Sequence, residues 1–137
     1  MLKLIFIALL LINSSAFAQD CNEIGDYQKM ESCYHDSFNK SYRQLNLKYK
    51  NLLSQLTNSP NTKKAFIQNQ RDWLKYAENY CELAYAEEPD SRGTFSRVAI
   101  SICLDDLYSE RIEQFNQMAC EEGNMSSTCI ITKPSSF

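Results

Sequence analysis

Glycine and proline are scarce in this chain of 137 residues, with three of each. A β-sandwich needs a turn signal about every 8–12 residues, so that class is excluded. There is a single histidine, a single tryptophan and no Cys-x-x-Cys pair. Without that spacing a thioredoxin-type site and a zinc ribbon both lack their ligands. The missing Cys-x-x-Cys-His leaves no haem attachment point. Positive charge is also short: 14 Lys and Arg stand against 17 Asp and Glu, a net charge of −3. A nucleic-acid binder carries the opposite surplus. Charged residues make up 23% and hydrophobic ones 44%, a balance of neither a disordered acidic chain nor a membrane protein. No repeat, heptad run or low-complexity tract is present. The length suits one small domain.

What is present begins with an export signal. Lys3 supplies a positive charge, residues 4–12 are an unbroken apolar run, and Ala16-Phe17-Ala18 offers a small-residue cleavage site. This pattern predicts a signal peptide over residues 1–18, cleaved after Ala18. The run falls short of the about 20 residues that a bilayer span needs. Asp20 before Cys21 does not suit lipid attachment. The expected product is a periplasmic or secreted protein with no membrane anchor. Losing Lys3 takes its net charge from −3 to −4.

Three long segments carry helical periodicity. In the first, from about Tyr27 to Leu56, Met30, Tyr34, Phe38, Leu45, Tyr49, Leu52 and Leu56 recur at steps of three and four, with Ser41 in the one gap. Thr57 to Asn61 breaks the pattern, and Ser59 or Asn61 is the expected cap of the second. That segment runs from about Thr62 to Ala86 and places Phe66, Gln70, Trp73, Ala77, Cys81 and Ala84 on one stripe. Pro89 to Gly93 ends it, and Thr94 or Ser96 is the expected cap of a third segment reaching Met118. Its apolar face is read as Phe95, Val98, Ala99, Ile102, Leu107, Ile112, Phe115 and Met118. The expected fold is all-α: a bundle of three long antiparallel helices in residues 19–119, followed by an irregular tail in residues 120–137.

Six cysteines, all after the signal segment, imply three disulfides in an oxidising compartment. Spacing alone leaves 15 connectivities open. The helical plan favours Cys21–Cys33, Cys81–Cys103 and Cys120–Cys129. Cys81 sits near the end of the second helix and Cys103 near the start of the third, at similar heights in an antiparallel hairpin. Cys21–Cys33 would tie the lead-in to the first helix, and Cys120–Cys129 would close the tail.

Three clusters carry a family resemblance. Leu45-Asn46-x-x-Tyr49-x-x-Leu52 lies on the first helix, Gln70-x-x-Trp73 with Tyr76 and Cys81 on the second, and Cys103, Arg111 and Phe115 on the third. With Cys21 and Cys33 ahead of them, their order and spacing resemble the LprI-like lysozyme-inhibitor family of small exported bacterial helical proteins. Ala77, Tyr108 and Phe115 stand where that family often has Arg, Thr and Leu. The resemblance implies a non-catalytic binding protein that occludes the cleft of lysozyme or a related peptidoglycan-cleaving enzyme, without cofactor or metal. The alternative is a periplasmic immunity-like or adaptor protein with another protein partner.

The motif residues have plain structural readings as well. Trp73 reads as core. Gln70 and Asn46 read as groups that satisfy buried polar atoms, one to another across the helices. Arg111 reads as a surface partner of Glu78 or Glu82, worth ~0–1 kcal/mol. His35 has no second histidine or orienting acid and reads as structural. Acidic pairs are the remaining signal. A glycosidase acid and base, such as Glu87 and Asp106, would need a cleft holding them about 5–10 Å apart, which a plain three-helix domain rarely offers. Glu87, Glu88, Asp90 and Arg92 in the second connection are instead the candidate partner contacts. An acidic connection on a rigid scaffold is steered towards a basic lysozyme.

Overall fold

The computed structural model describes residues 20–87, 93–121 and 128–133. A short 3-10 turn, Cys21–Glu23, leads into helix α1, Tyr27–Gln55. Helix α2 covers Pro60–Glu82 and tightens into a 3-10 turn at Leu83–Tyr85; helix α3 covers Thr94–Met118. The strands β1, Ala119–Glu121, and β2, Ile131–Lys133, pair in parallel, with Ala119 opposite Ile131. The all-α expectation holds for the body of the chain.

The helix starts follow local chemistry. The Asp26 carboxylate accepts from the backbone N–H groups of Gln28 and Lys29 at 3.0 and 3.1 Å, filling two of the orphan donors of α1. At α2 the cap position is Ser59, but its side chain makes no capping bond; Pro60 opens the helix, where a missing N–H and a fixed φ cost nothing. The cap of α3 is Gly93, not Thr94 or Ser96; Ser96 is buried inside the first turn. Helix α2 also ends earlier than Ala86, because its last turn changes to 3-10 geometry after Glu82.

Successive helices alternate in direction. Yet the most extensive contact is between α1 and α3, which run parallel. Contacts climb together along the pair: Glu31 with Arg97 at 3.7 Å, Ser37 Oγ donating to Asp105 Oδ2 at 2.6 Å, and Lys48 Nζ donating to Asn116 Oδ1 at 2.8 Å. Helix α2 runs back across α3. Helix α3 therefore meets both neighbours, and it shows almost none of the one-sided amphipathicity of α1 and α2.

The core joins Leu45, Leu52 and Leu56 of α1, Phe66 and Ala77 of α2, Tyr108 and Phe115 of α3, and Ile131 of β2. Phe66 meets the Phe115 ring edge-on at 5.6 Å, and Tyr49 closes the group at 5.3 Å from Phe66. Ser41, the polar residue in the α1 stripe, is buried and donates to the Phe38 carbonyl at 3.0 Å. The C-terminal segment is not irregular throughout. Ile130 N–H donates to the Met118 carbonyl at 3.0 Å, and Ile131 enters the core. The apolar pair Ile130-Ile131 and the adjoining Cys120–Cys129 bridge hold this segment against the body. Phe95 departs the other way: expected on an apolar face, it is 70% exposed, because Ser96 and Val98 form the buried side where α3 begins.

The three cysteine pairs favoured by the helical plan lie at disulfide distance, with Cα separations of 5.7, 5.7 and 5.6 Å for Cys21–Cys33, Cys81–Cys103 and Cys120–Cys129. No free cysteine is present among the described residues.

Candidate protein-binding site

Most of the residues that carry the family resemblance converge on α3 and face inwards, whereas Tyr76 on α2 faces solvent. Leu45 is a core residue, Asn46 is half-buried, and Tyr49 packs between Phe66 and Phe115. Arg111 is the centre of the remainder. It is only 4% exposed. Its Nε donates to Gln70 Oε1 at 3.1 Å, one terminal nitrogen donates to Gln114 Oε1 at 2.7 Å, and the other donates to Asn69 Oδ1. The guanidinium carbon lies 5.2 Å from the Trp73 ring centre and 4.9 Å from that of Phe115.

This corrects the surface ion pair with Glu78 or Glu82. Arg111 instead occupies a cage of three amide oxygens and two aromatic faces. A planar fork of donors with weakly hydrated faces suits such a cage; an ammonium would not. Burial holds the Arg111 pKa below its ordinary value, but the group stays charged throughout the ordinary pH range. It also corrects the pairing of Gln70 with Asn46: the Gln70 carbonyl is taken by Arg111, and no bond joins Gln70 to Asn46 among the described residues.

Sequence reasoning missed Asn69, Gln114 and Tyr108. Gln114 lies one turn from Arg111, a spacing that allows contact on a helix. Asn69 gives no sequence signal beyond adjacency to Gln70. Tyr108 is 3% exposed and touches rings from both other helices: Phe38 at 5.6 Å, Tyr42 at 5.9 Å and Trp73 at 5.9 Å. Burial raises the Tyr108 pKa, with smaller contributions from the Glu78 carboxylate and from Tyr42. A raised phenol pKa favours the native state until the unfolded chain starts to ionise. Stability from this group is therefore complete below the unfolded tyrosine value of about 10 and falls as pH climbs through the folded one. Urea midpoints measured between pH 8 and 11 should decline at the alkaline end, and Tyr108→Phe should shallow that decline.

Of the candidate partner contacts, Glu87 is exposed just beyond the 3-10 turn; Glu88, Asp90 and Arg92 lie outside the described residues. Asp106 is exposed on α3, and His35 is exposed on α1 with its Nδ1 2.9 Å from the Asn39 amide nitrogen. The residues of the predicted signal also lie outside the described ones. Among the described residues no group of three His, Cys, Asp or Glu could hold a metal ion, and no helix is long and apolar enough to cross a membrane.

Residues 19–115 match the family described as lysozyme inhibitor LprI. The chain belongs to that family. The match covers all three helices up to Phe115, and so includes the whole Arg111 cage; β2 lies beyond it. No curated protein and no solved structure matches the chain. Most of the LprI motif residues named above are buried and build the scaffold; Tyr76 is the exposed one.

Proposed function

We propose that this protein is an exported, non-catalytic inhibitor of lysozyme or of a related peptidoglycan-cleaving enzyme, acting by occluding the enzyme's cleft. Family membership over residues 19–115 is the observation that carries this reading. The fold is consistent with it: the motif groups are engaged in packing and hydrogen bonds, leaving rigid helices to present a surface. The predicted signal, cleaved after Ala18, and the six cysteines support release into the periplasm or beyond. The residues 87–92, with Glu87, Glu88 and Asp90 against the single Arg92, are the proposed contact with a basic enzyme.

The test is titration of the mature protein against c-type lysozyme during cell-wall clearing. Loss of lysis near stoichiometric ratio is expected, as is slower association by about tenfold when Glu87, Glu88 and Asp90 are replaced by Lys. Full lysis with no heat of binding would instead favour an adaptor or immunity-like role with another partner. Clearing by the protein alone, lost on Glu87→Gln or Asp106→Asn, would make it an enzyme.

A further inference from the structure

Helix α2 uses only one side in the core. On another side, Tyr76, Tyr80 and Leu83 follow at steps of four and three and remain 53%, 54% and 71% exposed. The rings of Tyr76 and Tyr80 lie 5.7 Å apart, and a shallow depression runs past Asp72, Lys75 and Asn79 between them and Leu83. The other large exposed hydrophobics of the described residues, Tyr27, Tyr42, Leu47 and Phe95, are spread over α1 and the start of α3. Three such residues on adjoining turns are the beginning of an interface core, where tyrosine is favoured because it buries much area for little lost side-chain freedom.

The charge around this strip points to its occupant. Helix α2 carries Lys63, Lys64, Arg71 and Lys75 in its first two-thirds, with Lys75 and Asp72 offsetting each other at the Tyr76 end of the depression, whereas residues 76–87, towards Leu83, hold Glu78, Glu82 and Glu87 and no Lys or Arg. Carboxylates at a helix C-terminus oppose the macrodipole, so Glu78 and Glu82 gain nothing from it. Glu78 lies on the flank that reaches Tyr108, while Glu82 and Glu87 flank the 3-10 turn that carries Leu83. An interface of ordinary size, about 800 Å² on each partner, would span the strip and this acidic end together.

We infer that the Tyr76–Tyr80–Leu83 strip is the apolar anchor by which the inhibitor docks on a basic lysozyme, with the acidic end of α2 as its rim. This rests on the inhibitor reading above and assigns that reading its surface. The test is calorimetric titration of mature protein with c-type lysozyme, alongside Tyr76→Ala/Tyr80→Ala, Leu83→Asp, and Leu47→Asp on α1 as control. All four sites are exposed, and circular dichroism with urea midpoints checks each fold. Expected is a loss of affinity of about 100-fold for the tyrosine pair and for Leu83→Asp, with the control within about threefold of wild type. If wild type binds and the strip variants bind equally well, the surface is wrong and the inhibitor reading stands. If wild type does not bind, both fail. If sedimentation shows a wild-type dimer that these variants dissociate, a second copy covers the strip and the inference is overturned.

Discussion

Replacing Arg111 by Ala should lower the unfolding free energy by about 3 kcal/mol, with an unchanged slope against urea. The change removes three charge-assisted hydrogen bonds and leaves the buried Gln70 oxygen without its donor, a loss of about 1–3 kcal/mol for that oxygen alone. It also opens a cavity between the Trp73 and Phe115 rings. Against this stands relief from burying a charge that no carboxylate neutralises among the groups bonded to it. Two further substitutions separate the contributions. Arg111→Met keeps most of the volume and removes the charge, so only the orphaned Gln70 remains, at about 1–3 kcal/mol. Arg111→Lys keeps the charge but gives up the fork and the stacking, and a more strongly hydrated ammonium is dearer to bury. Lys should therefore be worse than Met, the reverse of what a conserved charge on a surface would give. If Lys proves harmless, Arg111 is solvated and the cage has no role in stability.

Helices were readable from this sequence because a period of three and four over 20 or more residues admits few other structures. Their partners were less so. The stripe of α1 does not say that its main neighbour is the parallel α3, since parallel contact depends on how α2 crosses between them. Helix α3 hid its burial for a physical reason: a helix packed on two sides loses the one-sided pattern that marks a face, so Tyr108 and Arg111 looked unremarkable. Arg111 was read as exposed because arginine usually is, and the amides that make its burial tolerable come from residues 41 and 42 positions away, and from its own next turn. The partner surface was the least legible. The stripe of α2 marks its inner face and leaves Tyr76 and Tyr80 outside it, but no periodicity tells which outer residues a partner covers.

Removing the Cys81–Cys103 bridge with paired alanines should cost about 3 kcal/mol, a large share of the roughly 5–15 kcal/mol that holds a small domain folded. The bridge closes a segment of 22 residues, against 12 for Cys21–Cys33 and 9 for Cys120–Cys129. Loop entropy grows only as the logarithm of that length, so it separates the three by less than about 1 kcal/mol. Location separates them more. Beyond Ala77, Tyr80 and, in the 3-10 turn, Leu83 face solvent, and among the described residues Cys81 is the one buried side chain of this end, bridged to α3. Without it the final turns of α2 should open locally, which amide exchange would detect as lost protection from Asn79 to Glu82 while α1 stays protected. Cysteine removal at the other end, Cys120 and Cys129, should instead release β2 and expose Ile131, leaving α2 intact. Because the docking strip sits on the end that Cys81 holds, the first variant should also bind lysozyme weakly while the second binds as wild type. Equal binding by both would separate the strip from the interface, whatever the stability data show.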